Sequence, residues 1–167
     1  DPEREYGSLI HALGGEVIAI SANTSNHINA LDISAEYGEG SNPLVLKSEF
    51  VMSLCQQLQH GPIEPGDKSI IDRCLEHIYE DYLKTYEGNA PTLLDLYYDL
   101  LKQPELEAHR LALALELFAK GSLNVFAHQT NVDTQNRIIC YDIQELGESL
   151  KQVGLLVMLD PILNRVI

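Results

Sequence analysis

The chain has 167 residues, 45% of them hydrophobic, with 11 Lys plus Arg against 25 Asp plus Glu, a formal net charge of -14. That hydrophobic content suits a folded chain with one core, or a core and a second small unit, and argues against disorder. A surface this acidic, with no basic run and no basic-aromatic interleaving, argues against direct binding of nucleic acid or anionic lipid.

Asp1-Pro2-Glu3-Arg4-Glu5-Tyr6 is a polar opening whose proline suits the first turn of a helix. Leu9, Ile10 and Leu13 continue it at helical spacing, and Gly14-Gly15 stops it. Glu16-Val17-Ile18-Ala19-Ile20-Ser21 is a short, nearly all-apolar strand of the kind buried on both faces of a parallel sheet. Asn23 to Asn29 is a loop rich in Asn and Ser, and Asn29-Ala30-Leu31-Asp32-Ile33 closes the segment. The glycines and proline between Tyr37 and Pro43 mark a boundary.

From Leu44 to Lys120 the period is helical. Val45, Leu46, Phe50, Val51, Leu54, Cys55 and Leu58 fall close to one face of a first helix. Gly61 to Gly66 is a turn, and Asp67 is the expected N-cap of the next helix. Its apolar stripe runs from Ile70 to Tyr86. Tyr79, Tyr82 and Tyr86 on that stripe read as core residues with their hydroxyls in water. Thr92-x-x-Asp95 is a capping box opening a third helix, and Pro104 opens a fourth. Leu111 to Ala119 is apolar nearly all round, which predicts a central place for that last helix.

The polar loop Thr130 to Arg137 then feeds Ile138 to Ile143, a run too short and too β-branched to read as a helix. Leu150, Val153, Leu156 and Val157 follow as an amphipathic helix that Pro161 kinks or ends. Buried strands alternating with helices predict an α/β core built on crossovers.

Several chemistries leave no trace in the sequence. There is no Gly-x-x-x-x-Gly-Lys-Ser/Thr loop, no apolar strand ending in Asp-Glu and no Gly-x-Ser-x-Gly. None of the six histidines stands at metal-ligand spacing from another His or Cys. Cys55, Cys74 and Cys140 each sit among apolar residues and read as buried reduced thiols, which fits a reducing compartment. No apolar stretch approaches the ~18 residues of a membrane span. The abrupt opening at Asp1 reads as a piece of something longer. Asp1, Glu3 and Glu5 stand where a preceding core strand would end, the edge at which open α/β sheets bind ligands. Arg137 stands at the entrance of the later strand, within reach of a phosphate. Solvated surface charge is the plain alternative for each.

Taken together, these segments resemble the VirB-four/TraC family of type IV secretion and conjugation ATPases, within the HerA/FtsK group of RecA-like motors. Asp1 to Tyr6 looks like the family's Asp-Pro-x-x-Glu-Tyr motif. Gly14 to Ile18 and Ile28-Asn29-Ala30-Leu31-Asp32 match the segments that follow, with Ala30 where the family usually has proline. Leu46 to Phe50 and Ser69 to Cys74 look like its helical insertion. Leu123 to Phe126, Thr130 to Asp133 and Arg137 to Ile143 give the most specific match, similar in particular to versions on conjugative elements of Gram-positive gut bacteria.

The resemblance implies a partial RecA-like, P-loop NTPase sheet with an all-helical insertion. Its core would comprise residues 1–41 and 121–167, and its insertion residues 42–120. It implies that the Walker A loop lies before Asp1 and the Walker B strand after Ile167. The full-length motor would then use ATP and Mg²⁺ to power conjugative transfer, and this piece alone would be inactive. Glu5 carries over as an acid near the γ-phosphate, Asp1 as a nucleotide-binding residue, and Arg137 as a residue acting across a subunit interface. Implied partners are other secretion components and further copies of the motor, at the inner face of a bacterial membrane. The alternative is a non-enzymatic helical module that docks channel components.

Overall fold

The computed structural model describes residues 2–21, 25–38, 40–133, 139–143 and 146–164, with side chains described at all of these except 2–5 and 139–141. Helix α1 (Pro2–Ala12) leads into strand β1 (Glu16–Ala19). Gly14, at φ 79°, turns the chain between them, and Gly15 donates to the Ile10 carbonyl at 2.8 Å. Five helices follow: α2 (Pro43–Gln59), α3 (Pro65–Tyr79), the single turn α4 (Tyr82–Thr85), α5 (Leu93–Leu101) and α6 (Leu106–Ala119). Strand β2 (Ile139–Asp142) and helix α7 (Glu148–Leu163) complete the described elements.

The two strands, remote in sequence, lie side by side. β1 pairs with β2 in parallel, in the register Glu16 to Ile139 through Ala19 to Asp142. Ile20 prolongs the ladder by donating to the Asp142 carbonyl at 2.8 Å. Helix α1 packs against both strands. By residue count the described fold is mostly helical, and its sheet has two strands.

Local signals explain the starts of α2, α3 and α5. Asn42 caps α2 by accepting from Leu44 N at 3.0 Å, with Pro43 at the first helical position. Thr92 and Asp95 form the expected capping box of α5, with Thr92 N donating to Asp95 Oδ2 at 2.8 Å. The N-cap of α3 is Glu64 rather than Asp67. Pro65 takes the first helical position, which moves Asp67 to the third, where its carboxylate accepts from Glu64 N at 3.1 Å. The buried Asp67 also receives Arg110 at 2.5 Å. The stripe expected to run unbroken to Tyr86 divides after Tyr79. Glu80 and Asp81 keep right-handed helical angles, so the heading shifts without the chain reversing. Pro161 lies inside α7 and does not end it.

One hydrophobic cluster runs from Ile18 and Ile20 through Leu31, Leu54, Leu75, Leu96 and Leu115 to Phe126, Val153 and Val157. Burying each such aliphatic side chain favours folding by about 1.5–3 kcal/mol. Cys55 and Cys74 are buried free thiols, and burial pushes each up to about 12. Gly154 lets α7 approach closely: a Cβ there would stand 3.2 Å from Phe126 Cζ. Helix α6 packs on α2, α3 and α5, yet Leu106 and Leu113 stay 81% and 71% exposed, so it is less enclosed than its composition predicts. The tyrosines also differ from expectation. Tyr79 is fully buried and donates to the Leu31 carbonyl, and Tyr82 donates to the Ile33 carbonyl at 3.1 Å. Their hydroxyls hold the 31–33 segment by its carbonyls.

Helix α7 is fastened to α2 by a buried charge cluster. Lys47 Nζ lies 2.6 Å from Asp160 Oδ2, with both side chains almost wholly enclosed. Tyr37 and Asn164 donate to Asp160 Oδ1 at 2.8 and 3.0 Å. The ammonium also sits 4.4 Å from the Tyr37 ring centre and 5.0 Å from that of Phe50. Burial pulls Lys47 below the ordinary lysine value while Asp160 opposes the shift, and burial together with Asp160 raises Tyr37.

Candidate functional site

The carboxyl end of a parallel strand is where α/β sheets present their ligand-binding loops. Beyond the end of β1, Asn26 Nδ2 donates back to the Ala19 carbonyl at 3.0 Å. The next residues are laced to the segment that leads to β2. His27 N donates to Asn131 Oδ1 at 2.7 Å, Asn131 N returns to the His27 carbonyl at 3.1 Å, and Asn131 Nδ2 reaches Ser25 O at 2.6 Å. Asn29 N donates to Thr130 Oγ1 at 2.9 Å, and Ala30 N to the Phe126 carbonyl at 2.9 Å. Asn29 and Ala30 belong to the Ile28 to Asp32 motif and Thr130 and Asn131 to the Thr130 to Asp133 motif, so two stretches singled out separately in the sequence meet at one place.

A third segment joins them. The buried Asn29 side chain donates through Nδ2 to Pro91 O at 2.8 Å and accepts Leu31 N on Oδ1 at 3.0 Å. Gln129 Nε2 donates to Ala90 O at 2.7 Å. The loop between α4 and α5 is thus anchored to the end of β1.

The rings of His27 and His128 lie 4.3 Å apart, centre to centre, and His27 Nδ1 is enclosed without a hydrogen-bond partner. Desolvation, then the neighbouring His128, lowers His27 from its ordinary value of 6.5. The folded chain therefore binds fewer protons there than the unfolded chain, and stability falls as pH drops from about 6.5 towards the lowered value. His27→Gln is expected to flatten the acid limb of the stability profile, read as urea midpoints between about pH 5 and 7.5. An unchanged acid limb would remove His27 from the account.

Of the residues expected to touch nucleotide, Glu5 belongs to α1, the helix packed on both strands, but its side chain lies outside the described residues. Asp1 and Arg137 lie outside them altogether. Among the described residues no group of three or more His, Cys, Asp or Glu is placed to hold a metal ion. The hydrogen-bonded polar groups at this edge hold loops in place. Neither the His27–His128 contact nor the Asn29–Pro91 bridge was legible in the sequence, because each joins groups far apart in the chain.

No protein-family model matches the chain, and no curated protein matches it. Among solved structures it is similar to VirB4 of Thermoanaerobacter pseudethanolicus, with a TM-score of 0.72 and 20% identity. The match covers 96% of this chain and 65% of that one. The likeness establishes a common fold across nearly all of this chain.

Proposed function

We propose that the chain is part of a VirB4/TraC-like type IV secretion ATPase, the motor that powers conjugative transfer. The observation that carries this reading is the parallel pairing of β1 with β2 across the α2–α6 excursion, on a chain whose fold matches VirB4 over almost its whole length. Exposed apolar side chains support it. Tyr6 and Leu9 on α1 with Leu13 in the turn after it, and Leu155, Leu159 and Ile162 on α7, form stripes at helical spacing that face solvent. A parallel sheet is ordinarily covered on both faces, and such stripes suit packing against further strands and helices of a RecA-like sheet.

On this reading residues 1–41 and 121–167 belong to the ATPase core, and 42–120 form an inserted helical unit. ATP and Mg²⁺ serve the whole motor. This chain has no phosphate-cradling Gly-x-x-x-x-Gly-Lys-Ser/Thr loop, and among its described residues no three or more His, Cys, Asp or Glu are grouped to hold a metal ion. The nucleotide and its metal are therefore assigned chiefly to other parts of the motor. Glu5 is an acid near the γ-phosphate, Asp1 a nucleotide contact, and Arg137 a residue reaching a neighbouring subunit. Among the described residues no helix is long and apolar enough to cross a membrane, which is compatible with a motor seated on the inner face of one.

The test compares the 167-residue chain with a longer protein that contains it. The chain alone is expected to leave Mg-ATP intact and the longer protein to hydrolyse it. Within the longer protein, Glu5→Gln and Arg137→Ala are each expected to lower kcat by about 100-fold or more. A longer protein that folds yet hydrolyses no ATP would overturn the motor reading. Full turnover by either variant would remove that residue from it.

A further inference from the structure

A groove of about 1150 Å³ opens between the end of α3, α4 and the outer face of α5. Its apolar lining includes Ile78, Tyr82, Pro91 and Leu101. Its charged lining is Asp81, Glu87, Asp95 and Asp99 with Lys102; Asp95 also caps α5, and Asp99 lies 3.2 Å from His77 Nδ1. Gln129, itself a lining residue, and Asn29 hold the Ala90 and Pro91 carbonyls in place.

We propose that this groove docks a short segment of a protein partner in which lysine or arginine side chains flank apolar ones. A groove of this size that opens to solvent suits a peptide better than an enclosed metabolite. The charge selects the sign of the occupant. Asp81 and Glu87 are both exposed at the rim; Asp81 lies 3.4 Å from the exposed Lys84 Nζ, a solvated pair that an incoming cation can replace. The net charge of -14 reinforces the local field, which draws basic segments and repels nucleic acid. The aromatic lining suits cations as well: within this chain Lys120 Nζ already lies 5.6 Å from the centre of the groove residue Tyr98. Apolar side chains of the occupant would rest on Tyr82 and Leu101, giving affinity that charge alone does not supply. The proposal does not depend on ATP turnover.

The probe is a fluorescein-labelled peptide alternating lysine and leucine, with a glutamate–leucine peptide as its counterpart. Binding to the 167-residue chain is followed by fluorescence anisotropy, and the site is mapped by amide chemical shifts. The basic peptide is expected to bind and to shift residues of α4 and α5, while the acidic peptide does not bind. Asp81→Lys with Glu87→Lys is expected to weaken binding by about tenfold. Glu76→Lys with Glu107→Lys makes the same change in net charge at exposed positions outside the groove, and is expected to change affinity less than about twofold. Equal losses in the two double variants would mean that only net charge is read, and would overturn the proposal. So would shifts centred elsewhere, or no binding of the basic peptide. Sedimentation showing a dimer that the groove variant abolishes would make the occupant a second copy and overturn the partner assignment.

Discussion

Lys47→Met is expected to lower the unfolding free energy of this chain by about 3–5 kcal/mol, a large share of the ~5–15 kcal/mol that stabilises a typical domain. The methionine fits the slot between the Tyr37 and Phe50 rings, so lost volume does not explain the effect. It arises because Asp160 stays buried with its two neutral donors, Tyr37 and Asn164, and no cation. Asp160→Asn creates the mirror fault, a buried ammonium without its anion. The double variant Lys47→Met/Asp160→Asn removes both charges and keeps an oxygen for Tyr37 and Asn164. It is expected to be more stable than either single variant, with a coupling of about 2 kcal/mol or more. Asp160→Asn alone carries a pH signature. Burial already lowers Lys47, and loss of the anion lowers it further. Between that lowered value and the ordinary 10.5 the unfolded chain binds more protons, so the variant gains stability as pH rises through this window. Urea unfolding followed by circular dichroism measures both effects. Single-variant losses below about 1 kcal/mol, as for an exposed pair, would show that the cluster is solvated.

How far the sequence foretold this arrangement depends on the range of each signal. Thr92 and Asp95 stand three residues apart, and their box forms as read. The runs at Glu16–Ala19 and Ile139–Asp142 were legible as strands because apolar β-branched residues are bounded by loops and helices. Their parallel pairing followed from the need for a crossover. The N-cap of α3 was misread although the signal was present: Pro65 favours the first helical position and so makes Glu64 the cap. Lys47 lies within an apolar stretch of α2 and reads there as one more solvated lysine. Nothing local announces that Asp160, from the last helix, arrives to meet it. The break after Tyr79 was equally hidden, since Tyr79 and Tyr82 keep helical spacing on both sides of it. Of the candidate site, the motif strands and loops were legible, and the Asn29 bridge to Pro91 was not. Periodicity reports which face is buried and says nothing about which remote carbonyl a buried amide finds.

Asn29→Leu is therefore expected to cost about 2–4 kcal/mol, although it replaces a polar buried residue with an apolar one of similar size. The amide spans two segments. It satisfies the Pro91 carbonyl through Nδ2 and the Leu31 amide through Oδ1, and all of these groups are enclosed. Leucine leaves both backbone groups without partners, and each buried orphan costs about 1–3 kcal/mol. Asn29→Asp separates this explanation from a packing effect. The introduced carboxyl still accepts from Leu31 N, but when ionised it faces the Pro91 carbonyl oxygen with no proton to donate. Burial and that oxygen raise its pKa in the folded chain above the ~3.9 of an unfolded aspartate. The folded state then binds more protons, so stability is best retained below about pH 4 and is lost as pH rises through the raised value. Relative to the native chain at each pH, Asn29→Asp should thus be mild near pH 4 and severe at pH 7, while Asn29→Leu should be equally destabilising at both. The comparison is read as differences in urea midpoint. Hydrogen exchange of the Leu31 amide adds a local measure: it should quicken in Asn29→Leu and stay protected in Asn29→Asp at the lower pH. Identical pH profiles for the two variants would mean that Pro91 and Asn29 are not bonded in solution. The anchoring of the α4–α5 loop to the end of β1 would then rest on Gln129 alone.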